Sequence, residues 1–171
     1  VAATGNDLAN SLTGNASSNL LSGGGGADLL AGGASADHYL FGRGGGADRI
    51  VENDAKLYAR DLLSFEWGIQ PIEMILSRSG NDLLLALRSS GDSVTIQDWY
   101  RGPSFQVEQV QAGERGLAAS QVDVLIQAMA TYSSESGLTW AQAITERPAA
   151  VEAVLAAHRP VHELGAVLAE Q

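Results

Sequence analysis

A large apolar residue recurs every nine positions in the first third of the chain. This apolar series comprises Leu12, Leu21, Leu30 and Tyr39. An Asn or Asp precedes each of them by two residues, at Asn10, Asn19, Asp28 and Asp37. A glycine opens each unit, at Gly5, Gly14, Gly23 and Gly32. Because a repeat of this size buries its apolar side only against its neighbours, the period predicts a stacked solenoid over residues 4–54.

The best-formed unit reads GGGGADLLA from Gly23 to Ala31. After a two-residue insertion the pattern resumes as GGGADRI from Gly44 to Ile50. A Gly-rich acidic stretch is also typical of a flexible linker. A linker gives no reason for an apolar side chain at a fixed place after each Asp or Asn, so we prefer the solenoid. In it, about six residues of each nonapeptide turn, about three form a strand with the apolar side chain inward, and two units complete a coil.

Two units per coil predict two edges of stacked loops. The loops that end at Asn10, Asp28 and Asp48 lie on one edge, and those that end at Asn19 and Asp37 lie on the other. Stacked carboxylates repel one another, and a divalent cation between them reverses the sign of the interaction. Carboxylates and turn carbonyls are also the oxygen ligands that calcium prefers.

These units have the form Gly-Gly-x-Gly-x-Asp-x-U-x, with U a large apolar residue, and resemble the repeats-in-toxin (RTX) family. The resemblance implies a mainly β protein with a short, calcium-loaded parallel β-roll. In that family the sixth-position Asp supplies its side chain and the loop supplies backbone carbonyls. The side-chain ligands that it implies here are Asp28, Asp37 and Asp48. The implied carbonyl ligands lie around Gly24, Gly26, Gly33, Ser35, Gly44 and Gly46.

Three positions depart from the family pattern. Asn10 and Asn19 replace the carboxylate, and Ser35 replaces a glycine. The resulting loops carry less negative charge, so we expect weaker ion binding there and one good site between Asp28 and Asp48. A second interpretation of both asparagines stays open, because Asn side chains also form turns within their own loop.

Residues 57–112 change to short alternating segments separated by turn-forming residues. The predicted strands run from Ile72 to Arg78, Leu83 to Arg88, Ser93 to Trp99 and Phe105 to Gln111. We expect them to form a small antiparallel sheet that caps the open end of the roll, where an unpaired edge would otherwise be exposed. Asp82 and Asp92 could be further ligands, but turn formation is the preferred interpretation of both.

Part of this region resembles the haemolysin-type calcium-binding-related domain that often follows such repeats. The segments that carry the resemblance are DLLSFEWGI from Asp61, LSRSGNDL from Leu76 and GDSVTIQDWY from Gly91. We expect packing in the core or at strand ends for three aromatic residues of the region: Trp67, Trp99 and Tyr100.

Residues 117–171 are rich in Ala, Leu, Val and Glu and predict a helical tail. Ser120 is the predicted N-cap of a first helix that has Val122, Leu125, Ile126 and Met129 on one face. Further helices are predicted near residues 139–146, from Pro148 to His158 and from Pro160. Packing explains the apolar faces. The tail also resembles the uncleaved C-terminal export signal of type I secretion substrates, and the two interpretations are compatible.

Charge and composition narrow the function further. The chain has 20 Asp plus Glu and 10 Lys plus Arg, a net charge of −10, which argues against a nucleic-acid surface. It has no cysteine, so disulfides and thiolate zinc sites are excluded. No apolar run approaches the roughly 20 residues of a membrane helix. The first residues do not form a signal peptide, and without an initial Met we expect a piece of a longer or processed chain.

The sequence contains no nucleophile elbow, phosphate-binding loop, dinucleotide fingerprint or His-Glu-x-x-His metalloprotease motif. His158 and His162 have the spacing of a metal pair, but Pro160 lies between them. We therefore expect a non-enzymatic module that binds calcium ions and folds on them after type I secretion from a Gram-negative bacterium, with its N-terminal cargo domain absent. The alternatives are an adhesion module for a polysaccharide or a protein, and an accessory part of a secreted hydrolase.

Overall fold

The computed structural model describes residues 1–55 and 59–158, which form twelve strands and three α-helices. The strands are β1 (Ala2–Thr4), β2 (Ser11–Thr13), β3 (Leu20–Ser22), β4 (Leu29–Ala31), β5 (His38–Phe41), β6 (Ala47–Ile50), β7 (Leu62–Phe65), β8 (Met74–Ser79), β9 (Asp82–Leu87), β10 (Ser93–Ile96), β11 (Gln109–Ala112) and β12 (Arg115–Ala118). The helices are α1 (Ala119–Ser136), α2 (Trp140–Glu146) and α3 (Pro148–Ala157).

Consecutive strands of the repeat region lie in different sheets. One sheet has the order β1-β3-β5-β7-β11-β12 and the other has the order β2-β4-β6-β10-β9-β8. Strands pair in parallel at an offset of two nonapeptides, with Leu21 opposite Tyr39 and Leu12 opposite Leu30. A mainly β architecture with parallel strands, followed by helices, is therefore confirmed.

The apolar residue of each nonapeptide points into the core. Leu21, Leu30 and Tyr39 are buried, whereas Leu20 and Leu29, which precede two of them, are 41% and 42% exposed. Successive side chains of a strand point to opposite faces, so the position two residues after each Asn or Asp lies inside.

The small antiparallel sheet that was predicted to cap the roll is present as β8-β9-β10, but it is not a sheet of its own. The strands after the repeats continue both existing sheets: β10 pairs in parallel with β6, and β11 pairs in parallel with β7. Antiparallel pairing occurs outside these, between β8, β9 and β10 and between β11 and β12. The edge of β6 explains the difference, because its backbone carbonyls would otherwise be unpaired. The N–H groups of Ser93 and Gln97 donate to the carbonyls of Gly46 and Ile50 at 2.8 and 2.9 Å.

Some strand boundaries also differ from the predicted ones. The strand predicted from Phe105 starts only at Gln109, because a 3₁₀ turn occupies Pro103–Phe105. A second 3₁₀ turn, Trp99–Arg101, follows β10, which ends at Ile96. Strands β7 and β12 were not predicted.

The helices pack against one end of the sheets. Val122, Leu125 and Met129 form the buried face of α1, as the apolar spacing predicted. The predicted N-cap was wrong, since α1 starts at Ala119 and the Gln121 side chain accepts the N–H of Ala118 at 3.1 Å. Thr139 caps α2 and accepts the N–H of Gln142 at 3.2 Å. The helix predicted from Pro160 lies outside the described residues. Within the described chain, no helix has the length and hydropathy needed to cross a bilayer.

Candidate metal centre

A ladder of side-chain carboxylates links the loops on the first edge. Oδ1 of Asp28 accepts the backbone N–H of Asn10 at 2.7 Å, and Oδ1 of Asp48 accepts that of Asp28 at 2.9 Å. Asp92 follows in the same line, and its two oxygens accept the N–H groups of Gly44 and Gly46 at 2.8 and 3.0 Å. Each carboxylate therefore accepts backbone N–H groups of the preceding loop on the same edge, and these hydrogen bonds hold the stacked coils together.

The second edge has a ladder of the same kind. Oδ1 of Asp37 accepts the N–H of Asn19 at 2.8 Å, and Oδ1 of Asp61 accepts that of Asp37 at 2.7 Å. Oε2 of Glu108 then accepts the N–H of Asp61 at 2.7 Å. Both edges therefore carry acidic side chains one above another.

These carboxylates are buried, and some of their oxygens have no partner. Asp28, Asp37 and Asp48 are between 1% and 3% exposed. Among the described residues, Oδ2 of Asp28 and Oδ2 of Asp37 accept no hydrogen bond. Burial raises the pKa of Asp48 to about 6, and the negative charges of Asp28 and Asp92 act in the same direction. An unsatisfied buried oxygen is costly, so these atoms are ready to receive a donor or a cation.

The loops approach one another too closely for side chains at some glycines. A Cβ at Gly46 would lie 1.8 Å from the carbonyl oxygen of Gly26, and one at Gly24 would lie 2.6 Å from that of Asn6. Ser35, which replaces a glycine, keeps a left-handed φ of 78°. Its N–H donates to Oδ2 of Asp54 at 2.9 Å, which holds the turn in that conformation.

The predicted carbonyl ligands lie in the loops that end at Asp28, Asp37 and Asp48. The carbonyls of Gly26 and Gly46 accept the N–H groups of Ala47 and Ser93 at 3.1 and 2.8 Å. A carbonyl oxygen has two lone pairs, so these bonds are compatible with an additional ion contact. Ligation by Gly24, Gly26, Gly33, Ser35, Gly44 and Gly46 stays a prediction.

Both asparagines make hydrogen bonds inside their own loops. Oδ1 of Asn10 accepts the N–H of Asn6 at 2.7 Å. The side-chain amide of Asn19 donates to the Ser17 carbonyl and to Oδ1 of Asp37, the latter at 2.9 Å. The Asn10–Asn6 and Asn19–Ser17 contacts lie within one loop and agree with the turn interpretation, whereas the Asn19–Asp37 contact joins two stacked loops. A ligand role for either asparagine stays untested.

Three buried carboxylates converge on the second edge, where the repeats end. Asp37, Glu52 and Asp61 each offer an oxygen, and these three atoms lie within 4.8 Å of one another. Sequence reasoning found Asp37 but missed Glu52 and Asp61. Both follow the last nonapeptide, and the nine-residue period has stopped there. The one available signal was Asp61, which opens the segment that resembles the haemolysin-type domain.

Electrostatics at this cluster oppose full ionisation without a cation. Burial raises the pKa of Glu52 to about 8, and the charges of Asp61, Asp37 and Glu108 add to the effect, while the hydroxyl of Tyr39 opposes it. Burial also raises the pKa of Asp61 to about 6. Oxygen ligands with surplus negative charge and no Cys or His fit a hard divalent cation such as calcium.

Residues 82–111 match the model of the haemolysin-type calcium binding protein related domain. The chain is also 30% identical over 63 residues to "Iron-regulated protein FrpA" of Neisseria meningitidis serogroup C. That alignment covers 37% of this chain and 6% of that protein, so the chain spans a small part of this relative. The domain match relates residues 82–111 to haemolysin-type calcium-binding proteins.

The matched segment supplies the last carboxylate of each ladder. Asp92 ends the first ladder and Glu108 ends the second, and both lie within residues 82–111. The preferred interpretation of Asp92 was turn formation, and its N–H donates to the Ser90 hydroxyl in that turn at 3.4 Å. Its carboxylate also accepts N–H groups from the loop that contains Gly44 and Gly46. The haemolysin-type segment thus completes the stacked edges of the repeats.

Other candidates from the sequence have structural contacts. Asp82 accepts the N–H of Asp98 at 2.8 Å and pairs with Arg49 at 3.2 Å. The His158 ring bonds to the Val154 carbonyl at 2.7 Å, and His162 lies outside the described residues. The packing expectation is confirmed for Trp99, which is 1% exposed, and was wrong for Trp67, which is 96% exposed in the turn after β7.

Proposed function

We propose that this chain is a calcium-binding module of a larger secreted protein, in which ions between the stacked loops stabilise a parallel β-roll. The observation that carries the proposal is the pair of carboxylate ladders, in which Asp28 and Asp37 each have a buried oxygen without a partner among the described residues. The match of residues 82–111 to the haemolysin-type calcium binding protein related domain supports the same ion chemistry. We propose no catalytic role for the module.

On the first edge, Asp28 and Asp48 would hold the ion, together with carbonyls of the glycine-rich loops. The ion would supply positive charge to a region whose acidic side chains repel one another. Without it, that repulsion and the entropy cost of ordering many glycines favour the unfolded chain. An ion that binds only the folded state stabilises it by about 2.7 kcal/mol at a hundred times its dissociation constant.

The proposed mechanism couples folding to location. A calcium-poor compartment favours an unfolded chain that a type I secretion channel can thread, and a calcium-rich exterior favours the folded module. The helical region that starts after β12 is the proposed carrier of the export signal. Its support is the resemblance of residues 117–171 to such signals and the amphipathic face of α1.

The decisive experiment is a calcium titration of the isolated chain, followed by far-UV circular dichroism. Magnesium is the ion control, because its smaller radius demands a tighter octahedral cage. The Asp28→Asn/Asp48→Asn double variant tests the first edge, and Glu146→Gln, an exposed residue of α2, is the control for loss of a carboxylate elsewhere. We expect a cooperative gain of β signal with calcium alone, shifted to higher calcium in the double variant only.

Two outcomes would contradict the proposal. A chain that is fully folded in chelator and unchanged by calcium would remove the folding switch, and an adhesion role for the module would then become the leading candidate. An equal response to magnesium would contradict the assignment of a calcium-type cage.

A further inference from the structure

The three-carboxylate cluster lies at the junction between the repeats and the strands that follow them. Asp37 ends the last regular nonapeptide loop, Glu52 follows β6, and Asp61 immediately precedes β7. Their converging oxygens lie within 4.8 Å of one another. The cluster therefore joins residues from three successive segments at one edge.

We propose that Asp37, Glu52 and Asp61 form a second calcium site, separate from the one between Asp28 and Asp48, that fastens the repeats to the following strands. The inference rests on the proposed calcium-binding function and adds a site that the nonapeptide pattern does not contain, since Glu52 and Asp61 lie outside it.

Two carboxylates of the cluster each keep an oxygen that accepts no hydrogen bond among the described residues. Oδ1 of Asp37 already accepts the backbone and side-chain N–H groups of Asn19 at 2.8 and 2.9 Å, which leaves Oδ2 free. Oε1 of Glu52 accepts the hydroxyl of Tyr39, which leaves Oε2 free. Neither Oδ2 of Asp37 nor Oε2 of Glu52 has a partner among the described residues, although these side chains are 1% and 2% exposed.

Counter-charge from the protein is missing in the described part of the chain. None of the ion pairs found in residues 1–55 and 59–158 includes Asp37, Glu52 or Asp61. Glu108, whose carboxylate accepts the N–H of Asp61, adds further negative charge. A bound divalent cation would offset two of these negative charges and contact the free oxygens.

Tyr39 positions Glu52 for this role. It occupies the apolar position that is Leu in the three preceding units, and its ring is buried, as are the side chains of Leu21 and Leu30. Its hydroxyl accepts the N–H of Gly32 at 2.8 Å and donates to Oε1 of Glu52. A Cβ at Gly32 would lie 2.3 Å from Oδ2 of Asp37 and 2.6 Å from the Tyr39 hydroxyl, so that free oxygen lies beside the Tyr39–Glu52 pair. The change from Leu to Tyr thus orients a ligand from outside the repeats.

An ion at this position would fix the pairing of β7. The side chain of Asp61 accepts the N–H of Asp37, and its own N–H donates to Glu108 at 2.7 Å. Strand β7 lies between β5 of the repeats and β11 of the matched segment. Binding at Asp61 would therefore hold the repeat sheet and the following strands in one register.

The test compares calcium stoichiometry, by equilibrium dialysis and calorimetry, in the wild-type chain and in Glu52→Gln. Glu114→Gln, at an exposed turn, is the matched control for loss of one carboxylate. We expect Glu52→Gln to lose one bound ion or to weaken that ion by about tenfold or more, because ligand charge sets calcium affinity. Glu114→Gln should match the wild type.

A second variant keeps the proposal testable if Glu52→Gln does not fold in saturating calcium. Terbium binds calcium-type oxygen cages, and light absorbed by a tyrosine beside the ion sensitises its emission. Tyr39→Phe should lose most of the tyrosine-sensitised emission and weaken one ion by about tenfold, the usual effect of removing a partner that orients a ligand.

The outcomes separate this inference from the proposed function. Unchanged stoichiometry and affinity in Glu52→Gln, with full sensitised emission in Tyr39→Phe, would overturn the junction site while calcium-dependent folding of the wild type stands. A wild-type chain that binds no calcium would overturn both.

Discussion

The backbone N–H of Asp28 donates to Oδ1 of Asp48 at 2.9 Å, although 20 residues separate them in sequence. The contact holds two buried acidic residues one above the other on the same edge of the stacked coils. It satisfies one oxygen of Asp48 but does not remove the negative charge. The folded chain therefore keeps an electrostatic cost that a cation can relieve.

Asparagine at position 48 should have opposite effects with and without calcium. Asp48→Asn keeps the Oδ1 acceptor and removes a buried charge whose pKa burial raises to about 6. In chelator we expect the free energy of unfolding to rise by roughly 1 kcal/mol, the usual size of a single-residue effect. In calcium the variant should gain less stability than the wild type. Urea unfolding in both conditions measures this, and a variant that is less stable in chelator would contradict the electrostatic argument.

The calcium-free chain should become more stable on mild acidification. Burial raises the pKa of Glu52 to about 8 and those of Asp48 and Asp61 to about 6. Their folded-state pKa values lie above those of the unfolded chain, so the folded chain binds more protons, and its stability rises as pH falls through the folded values. In chelator, the melting temperature should rise as the pH is lowered from about 8.5 to about 5.5. A flat or falling profile over this window would contradict the burial of charged carboxylates.

Two neighbouring glycines separate backbone strain from loop stacking. Gly44 and Gly46 have similar φ values, 79° and 82°, but a Cβ at Gly44 meets nothing within 4 Å, whereas one at Gly46 would lie 1.8 Å from the Gly26 carbonyl oxygen. Gly44→Ala should cost about 1–2 kcal/mol, from the left-handed backbone alone. Gly46→Ala should cost about 1–3 kcal/mol more, because the coils must move apart. Equal losses in denaturant unfolding would show that the coils do not stack this closely.

The two tryptophans near the ends of β7 and β10 should differ in their contribution to stability. Trp67 is 96% exposed and Trp99 is 1% exposed. Trp67→Ala should change the free energy of unfolding by less than about 0.5 kcal/mol and remove the fluorescence that iodide quenches. Trp99→Ala should cost about 3–5 kcal/mol, as large-to-small substitutions in a core do. Protection of Trp67 from iodide in the wild-type chain would instead indicate that a partner surface covers it.

Much of the repeat region was predictable because its information is local. Turn-forming glycines, an Asp or Asn and an apolar residue two positions later determine where the chain turns and which side chain points inward. The nine-residue period therefore predicted the parallel strands, the buried positions of Leu21, Leu30 and Tyr39, and the stacking of Asp28 with Asp48. The apolar spacing likewise predicted the buried face of α1.

The placement of the strands after the repeats was not predictable in the same way. The alternating pattern of residues 57–112 indicates strands but does not say which edge each one joins. The structure attaches β10 to β6 and β11 to β7, because exposed edges of the repeat sheets offer unpaired backbone groups. For the same reason Asp92 and Glu108 complete the ladders on edges whose other members lie far away in sequence.

The sequence by itself determined the repeat, its inward residues and the acidic edges, because each depends on residues within one nonapeptide or at a fixed offset from it. Only the tertiary structure decided that Glu52 and Asp61 meet Asp37, that Trp67 faces solvent and that the later strands extend both sheets. Those features depend on the sheet edges that remain free once the coils have stacked, and such edges exist only in three dimensions.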